Sequence, residues 1–62
     1  MINSNIEMLM SSIDKPPKGI VKCLTLIDGG CGQHYEIINC YNGKWQTTKE
    51  IFIKKYLILE TF

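Results

Sequence analysis

Three cysteines and one histidine are the residues of this chain whose types could support metal chemistry. Cys31-Gly-Gln-His34 has the spacing of a zinc-ligand pair, and Cys23 and Cys40 could complete a tetrahedral set of four ligands. Structural zinc sites usually present two close pairs, however, and Cys23 and Cys40 lie in apolar runs, where a free cysteine commonly serves as a small hydrophobic residue. We therefore expect no cofactor, and we keep a zinc-stabilised mini-domain as an alternative.

Cys31 and His34 could also act as a nucleophile and its base. No third group is evident that would orient the histidine, although Asp28 and Glu36 are near in sequence. The glycines on either side of Cys31 predict an exposed thiol that alkylating reagents can reach. We expect no enzymatic activity and no catalytic residues.

The glycine-rich stretch over residues 28–32, Asp-Gly-Gly-Cys-Gly, resembles a phosphate-binding loop in composition only. Such a loop needs a helix after it, because the helix N-terminus supplies the aligned amide groups. Here a strand is predicted to follow. The stretch therefore indicates a flexible connection between strands.

Aromatic and basic side chains could together form a stacking platform for single-stranded nucleic acid. The members of that set are Tyr35, Tyr41, Trp45, Phe52, Lys22, Lys44, Lys54 and Lys55. Six acidic residues offset seven lysines, giving a formal net charge of +1. The chain has no Arg, which is the preferred residue for bidentate contacts to phosphate and guanine. Nucleic-acid binding is kept as an alternative, and sequence-specific DNA recognition is disfavoured.

A protein-binding surface is the function that the aromatic residues favour. Trp45 is expected to be partly exposed near a hairpin tip, and exposed Trp and Tyr are enriched at binding hot spots. The alternative for Trp45 is cross-strand packing that stabilises the hairpin. The predicted partner-binding residues are Trp45, Tyr41, Lys44, Lys54 and Lys55.

Asn42-Gly43 is the clearest structural signal, since it lies between two β-prone runs. A two-residue type I′ turn needs a positive φ at both central positions, and Asn-Gly meets that need at low steric cost. The predicted strands cover residues 20–27, 35–41, 44–48 and 56–62. Residues 49–55 could continue a strand or form a tight turn. Apolar residues fall on both faces of the first two strands, which favours a curled sheet or barrel with one face in the core and the other covered or used for binding.

The N-terminal segment predicts a short helix over residues 4–14. Ile6, Leu9, Met10 and Ile13 form one helical stripe, and Ser4 begins a capping-box pattern. The prolines of the hinge at residues 15–19 would end this helix. Because such a helix is too short to be stable alone, we expect it to dock on the sheet or on a partner.

Length and composition limit the chain to one small domain over residues 1–62. No apolar run is long enough for a transmembrane helix, and no signal-peptide pattern is present. Three cysteines without an export signal predict reduced thiols in a cytoplasm, with one Cys23–Cys40 disulfide as the less favoured alternative. Ten Ile and no Ala or Arg indicate an AT-rich genome, bacterial or viral.

Hydrophobic spacing and a few Gly and Tyr positions characterise Val21-Lys-Cys-Leu24, Gly32-Gln-His-Tyr-Glu-Ile-Ile38, Trp45 and Lys54-Lys-Tyr-Leu-Ile-Leu59. Together these segments resemble small SH3-like β-barrel proteins of bacteriophage and bacterial genomes. The resemblance implies a mainly β fold of four to five strands and a binding role without catalysis. We therefore expect a phage-encoded protein, located in the host cytoplasm, that binds and inhibits or redirects a host protein in anti-defence or host takeover. A homodimer is left open, because an exposed sheet edge could be satisfied by a second copy.

Overall fold

The computed structural model describes residue 6 and residues 8–62, and its architecture is mainly β. Five strands form one curled half-barrel sheet, antiparallel throughout, in the order β1-β5-β2-β3-β4. The strands are β1 (Ser11–Ser12), β2 (Ile20–Asp28), β3 (Gln33–Tyr41), β4 (Lys44–Trp45) and β5 (Ile53–Thr61), with a short 3₁₀ helix at Glu50–Phe52. The prediction of a mainly β fold is confirmed at this level, whereas the SH3-like family remains a prediction.

The Asn42-Gly43 turn forms as the sequence predicts. Its φ angles are +54° and +88°, in the region that a type I′ turn requires. The two-residue loop fixes the register of the hairpin, so that Lys44 lies opposite Tyr41 and Trp45 lies opposite Cys40. β4 ends at Trp45, which is shorter than the predicted strand over residues 44–48.

β2 is the central strand and pairs along its length with both neighbours. Its register with β3 is unbroken from Ile20–Tyr41 to Asp28–Gln33. Its register with β5 shifts twice, at Lys22/Cys23 and at Leu26/Ile27, which is the pattern of β-bulges that curl a sheet. β5 begins at Ile53, three residues before the predicted start, and the stretch left open at residues 49–55 divides into the 3₁₀ helix and the first part of β5.

The predicted helix over residues 4–14 is not shown. Residues 4, 5 and 7 lie outside the described part of the chain, and Ile6, Met8 and Leu9 are helical. The prediction is wrong for Ser11 and Ser12, which form β1 and pair with Tyr56 and Lys55 of β5. Backbone pairing with a strand far along the chain overrides the helical stripe there, and a stripe carries no information about such pairing.

The inner face of the sheet holds the core. Its buried cluster consists of Val21, Cys23, Ile27, Ile38, Cys40, Trp45, Ile53 and Tyr56. The rings of Trp45 and Tyr56 lie 5.5 Å apart between centroids and are tilted by 59°. Tyr56 Oη donates a hydrogen bond to the carbonyl of Lys15, which ties the segment after β1 to the core. Thr25, also buried, donates from Oγ1 to the carbonyl of Glu36 at 2.7 Å.

Among the residues that the structure describes, there is no helix both long and apolar enough to cross a membrane.

Candidate binding face

The outer face of the sheet, opposite the core, carries a second set of apolar side chains in cross-strand rows. The first row lies at the hairpin end and joins four strands or their extensions. It consists of Phe62, Ile20, Tyr41 and Lys44, and we call it the end row. Phe62 N–H donates to Ile20 O at 2.8 Å, Ile20 lies opposite Tyr41, and Tyr41 lies opposite Lys44. These three pairings therefore place the four residues side by side.

Of the next two rows, the first is polar and the second is apolar. In the second row Lys22 lies opposite Asn39 on one side and Glu60 on the other, with Lys22 Nζ 3.4 Å from Glu60 Oε1. In the third row Leu24 lies between Ile37 and Leu57. Each row is about 7 Å from the next along the strands. The outer face is thus apolar in two rows with an exposed ion pair between them.

The fourth row is covered for part of its width. Leu26 lies between Tyr35 and Lys55 and is outside the core cluster, yet it is only 3% exposed. The end row, by contrast, is open to solvent: Ile20 is 43% exposed, Tyr41 46% and Phe62 67%. The most exposed contiguous apolar part of the outer face is therefore at the hairpin end.

The structure separates the predicted partner-binding residues into four groups, one of which is Trp45 in the core. Tyr41 and Lys44 are neighbours in the end row. Lys55 lies on the same face but three rows away, about 20 Å along the strands. Lys54 is skipped by the β2–β5 register, which pairs Leu26 with Lys55 and Ile27 with Ile53.

Trp45 was expected to be partly exposed, and this prediction is wrong. Its side chain is 4% exposed and packs on Tyr56 in the core. The two-residue turn dictates this position, because Trp45 lies opposite Cys40 and cross-strand neighbours share a face. The alternative considered for Trp45, cross-strand packing, is the arrangement found. The sequence reasoning missed Ile20 and Phe62, because the turn fixes only the register of β3 with β4. Ile20 meets Tyr41 through the pairing of β2 with β3, and Phe62 meets Ile20 through the pairing of β2 with the end of β5.

The cysteines and the histidine of the zinc alternative are not brought together. Cys23 and Cys40 are buried in the core, and Cys31 is exposed in the loop between β2 and β3. Burial raises the pKa of Cys23 from 9.0 to about 11, with Cys40 nearby as a second cause, and burial also raises the pKa of Cys40. Within the described residues no three Cys, His, Asp or Glu side chains are grouped so that they could hold a metal ion.

His34 belongs instead to an exposed polar cluster on the inner side of β3. Its Nε2 lies 2.6 Å from Glu36 Oε2, and Lys49 Nζ donates to the same oxygen at 2.7 Å. The hydrogen bonds from Lys49 and from His34 lower the pKa of Glu36 below its ordinary 4.5. Cys31 has no hydrogen bond to His34, so the nucleophile–base pair is not formed among the described side chains.

No protein family, curated protein or solved structure matches this chain.

Proposed function

We propose that this protein is a non-enzymatic protein-binding module that acts through the end row of its outer face. The single observation that carries the proposal is the exposed apolar surface of Ile20, Tyr41 and Phe62 on neighbouring strands. A contiguous, exposed apolar patch rimmed by polar residues is typical of a protein interaction site. The AT-rich composition fits a bacterial or viral genome, and we propose a phage-encoded protein whose partner is a host protein that it inhibits or redirects.

The chemistry of the end row indicates the kind of surface that would fit it. Ile20 and Phe62 offer flat apolar area, Tyr41 adds an aromatic ring with a hydroxyl group, and Lys44 adds a positive charge at the edge. A complementary surface would present apolar side chains and a carboxylate placed opposite Lys44. A rim charge of this kind contributes more to specificity and to the association rate than to affinity.

The test is capture of a partner from nuclease-treated bacterial lysate by the tagged protein. We expect one stoichiometric protein band. The variant Tyr41→Ser should lose it, because truncating an aromatic hot spot costs about 2 kcal/mol or more. Ile51→Ser is the matched control, since Ile51 is 81% exposed but lies on the 3₁₀ helix and belongs to none of the cross-strand rows. Equal capture by both variants would exclude the end row.

The nucleic-acid alternative is tested on the same purified protein. Binding of a fluorescent oligonucleotide at about 50 mM salt, with an affinity that falls steeply as salt rises, would favour that alternative through counterion release. The protein-binding proposal expects no such binding. A band that is captured from untreated lysate and is lost from nuclease-treated lysate would also contradict the protein-binding proposal.

A further inference from the structure

The outer face carries a charged row between two apolar rows where β2 and β5 lie side by side. Each row pairs one residue of β2 with one residue of β5 or of its extension. The pairs are Ile20 with Phe62, Lys22 with Glu60, and Leu24 with Leu57. The charged pair is open to solvent, with 41% of the Lys22 side chain and 55% of the Glu60 side chain exposed. The exposed ion pair is therefore flanked on both sides by apolar side chains.

The curvature of the sheet makes these rows the part of the outer face that another surface meets first. The sheet curls around the core on its inner side, so its outer face is convex. β2 is the middle strand of the five, and β5 lies next to it. A second convex surface therefore contacts the outer face along β2 and a neighbouring strand before it reaches the edges of the sheet.

We propose that a second copy of this chain packs on these rows, outer face against outer face, with a two-fold axis that runs parallel to the strands between β2 and β5. Each row then faces the same row of the other copy in reverse order, which makes the contact self-complementary. The residues that face each other across the interface are Ile20 and Phe62, Lys22 and Glu60, and Leu24 and Leu57, each pair formed twice. The two sheets are aligned, as in a β-sandwich.

Charge complementarity selects this axis over the alternatives. An axis along β2 itself would place Lys22 against Lys22 of the other copy. An axis across the strands at the charged row would do the same and would also place Glu60 against Glu60. Like charges directly opposite each other are destabilising. An axis between β2 and β3 would place Lys22 against Asn39, which is neutral. The axis between β2 and β5 is the one that sets opposite charges against each other twice.

The apolar and the charged rows have different roles in this contact. Burial of the apolar rows on either side supplies the attraction between the copies. The charged row fixes their relative position, because each Lys22 ammonium lies beside two carboxylates. One is Glu60 of its own chain, 3.4 Å away, and the other is Glu60 of the second copy.

The dimer goes beyond the proposed function, although it uses part of the same face. It covers Ile20 and Phe62 of the end row, so a second copy and a partner protein exclude each other there. The protein alone serves for the test, and its self-association does not depend on whether a partner exists. Absence of a dimer with capture of a partner would contradict the dimer alone, and a dimer without capture would contradict the proposed function alone.

Sedimentation equilibrium over a concentration series tests the proposal. We expect the apparent mass to rise from 7.1 kDa towards twice that value. Lys22→Glu and Glu60→Lys should each weaken the dimer about tenfold or more, because each variant sets like charges against each other across the interface. Lys15→Glu is the matched control and should leave the dimer unchanged. Lys15 is exposed, and its carbonyl accepts a hydrogen bond from Tyr56 of the core, which places it on the inner side of the sheet.

An equimolar mixture of the Lys22→Glu and Glu60→Lys variants separates the interface from the ion pair within one chain. That ion pair is broken in both variants, whether they are separate or mixed. Opposite charges face each other again only between one copy of each variant, so we expect the mixture to recover the dimer. Both variants should fold, because an exposed ion pair contributes little to stability, and circular dichroism checks this.

Three results would overturn the proposal. The first is a wild-type mass of 7.1 kDa at all concentrations up to about 1 mM, where only dissociation constants near or above that value escape detection. The second is a dimer that both charge reversals leave unchanged. The third is a mixture of the two folded variants that remains monomeric under conditions in which the wild-type protein is a dimer.

Discussion

The three cysteines occupy two different environments, and their reactivity should differ accordingly. Cys23 and Cys40 are buried, whereas Cys31 is exposed between glycines in the β2–β3 loop. A cysteine reacts as its thiolate, and the reagent must be able to reach it. We expect iodoacetamide to add one group to the native protein and three groups in denaturant, counted by mass spectrometry. Two rapid additions to the native protein would contradict the burial of the core thiols, and Cys31→Ser serves as the control with none.

Cys23 should make the stability of the protein depend on pH in the alkaline range. Its pKa is raised by burial from 9.0 to about 11, so folding favours the neutral thiol. The contribution of this thiol is fully present below pH 9 and is lost as the pH rises towards 11. We therefore expect the free energy of unfolding to fall between pH 9 and pH 11, measured by urea titration, and to fall less in Cys23→Ala. An equal pH dependence in both proteins would rule out this residue as its cause.

At the scale of elements, the hairpin turn depends on the backbone freedom of Gly43. Its φ is +88°, and a Cβ there would lie 3.7 Å from Pro16 Cβ, an ordinary contact, so the cost of a side chain arises from the backbone. We expect Gly43→Ala to destabilise the protein by about 1 kcal/mol or more, measured by chemical denaturation. Gly29→Ala is the matched control, since Gly29 has open space around its Cβ position and no positive φ. Equal effects of the two substitutions would mean that the turn geometry is unimportant.

The elements that local chemistry determines are those that could be predicted from the sequence. Asn42-Gly43 specifies a two-residue turn, and this turn determines the position of Trp45. The apolar residues on both faces of β2 and β3 predict a curled sheet with one face in the core and the other covered or used for binding. β1 could not be predicted in this way, because Ser11 and Ser12 become a strand only through pairing with β5, more than 40 residues later. The end row has the same origin, since Ile20 and Phe62 meet only after β2 and β5 are aligned.

At the scale of the whole molecule, the curled sheet divides its apolar residues between two purposes. The inner face closes around Trp45 and Tyr56, which leaves the outer face as the larger remaining apolar surface. The end row is the most exposed contiguous part of that surface, with Ile20 43%, Tyr41 46% and Phe62 67% exposed.

Tyr41→Ser should separate binding from folding. Tyr41 is 46% exposed on the outer face, so its truncation should lose the partner while the circular dichroism spectrum stays that of the folded protein. If the variant remained folded and kept the partner, the end row would not be the binding surface.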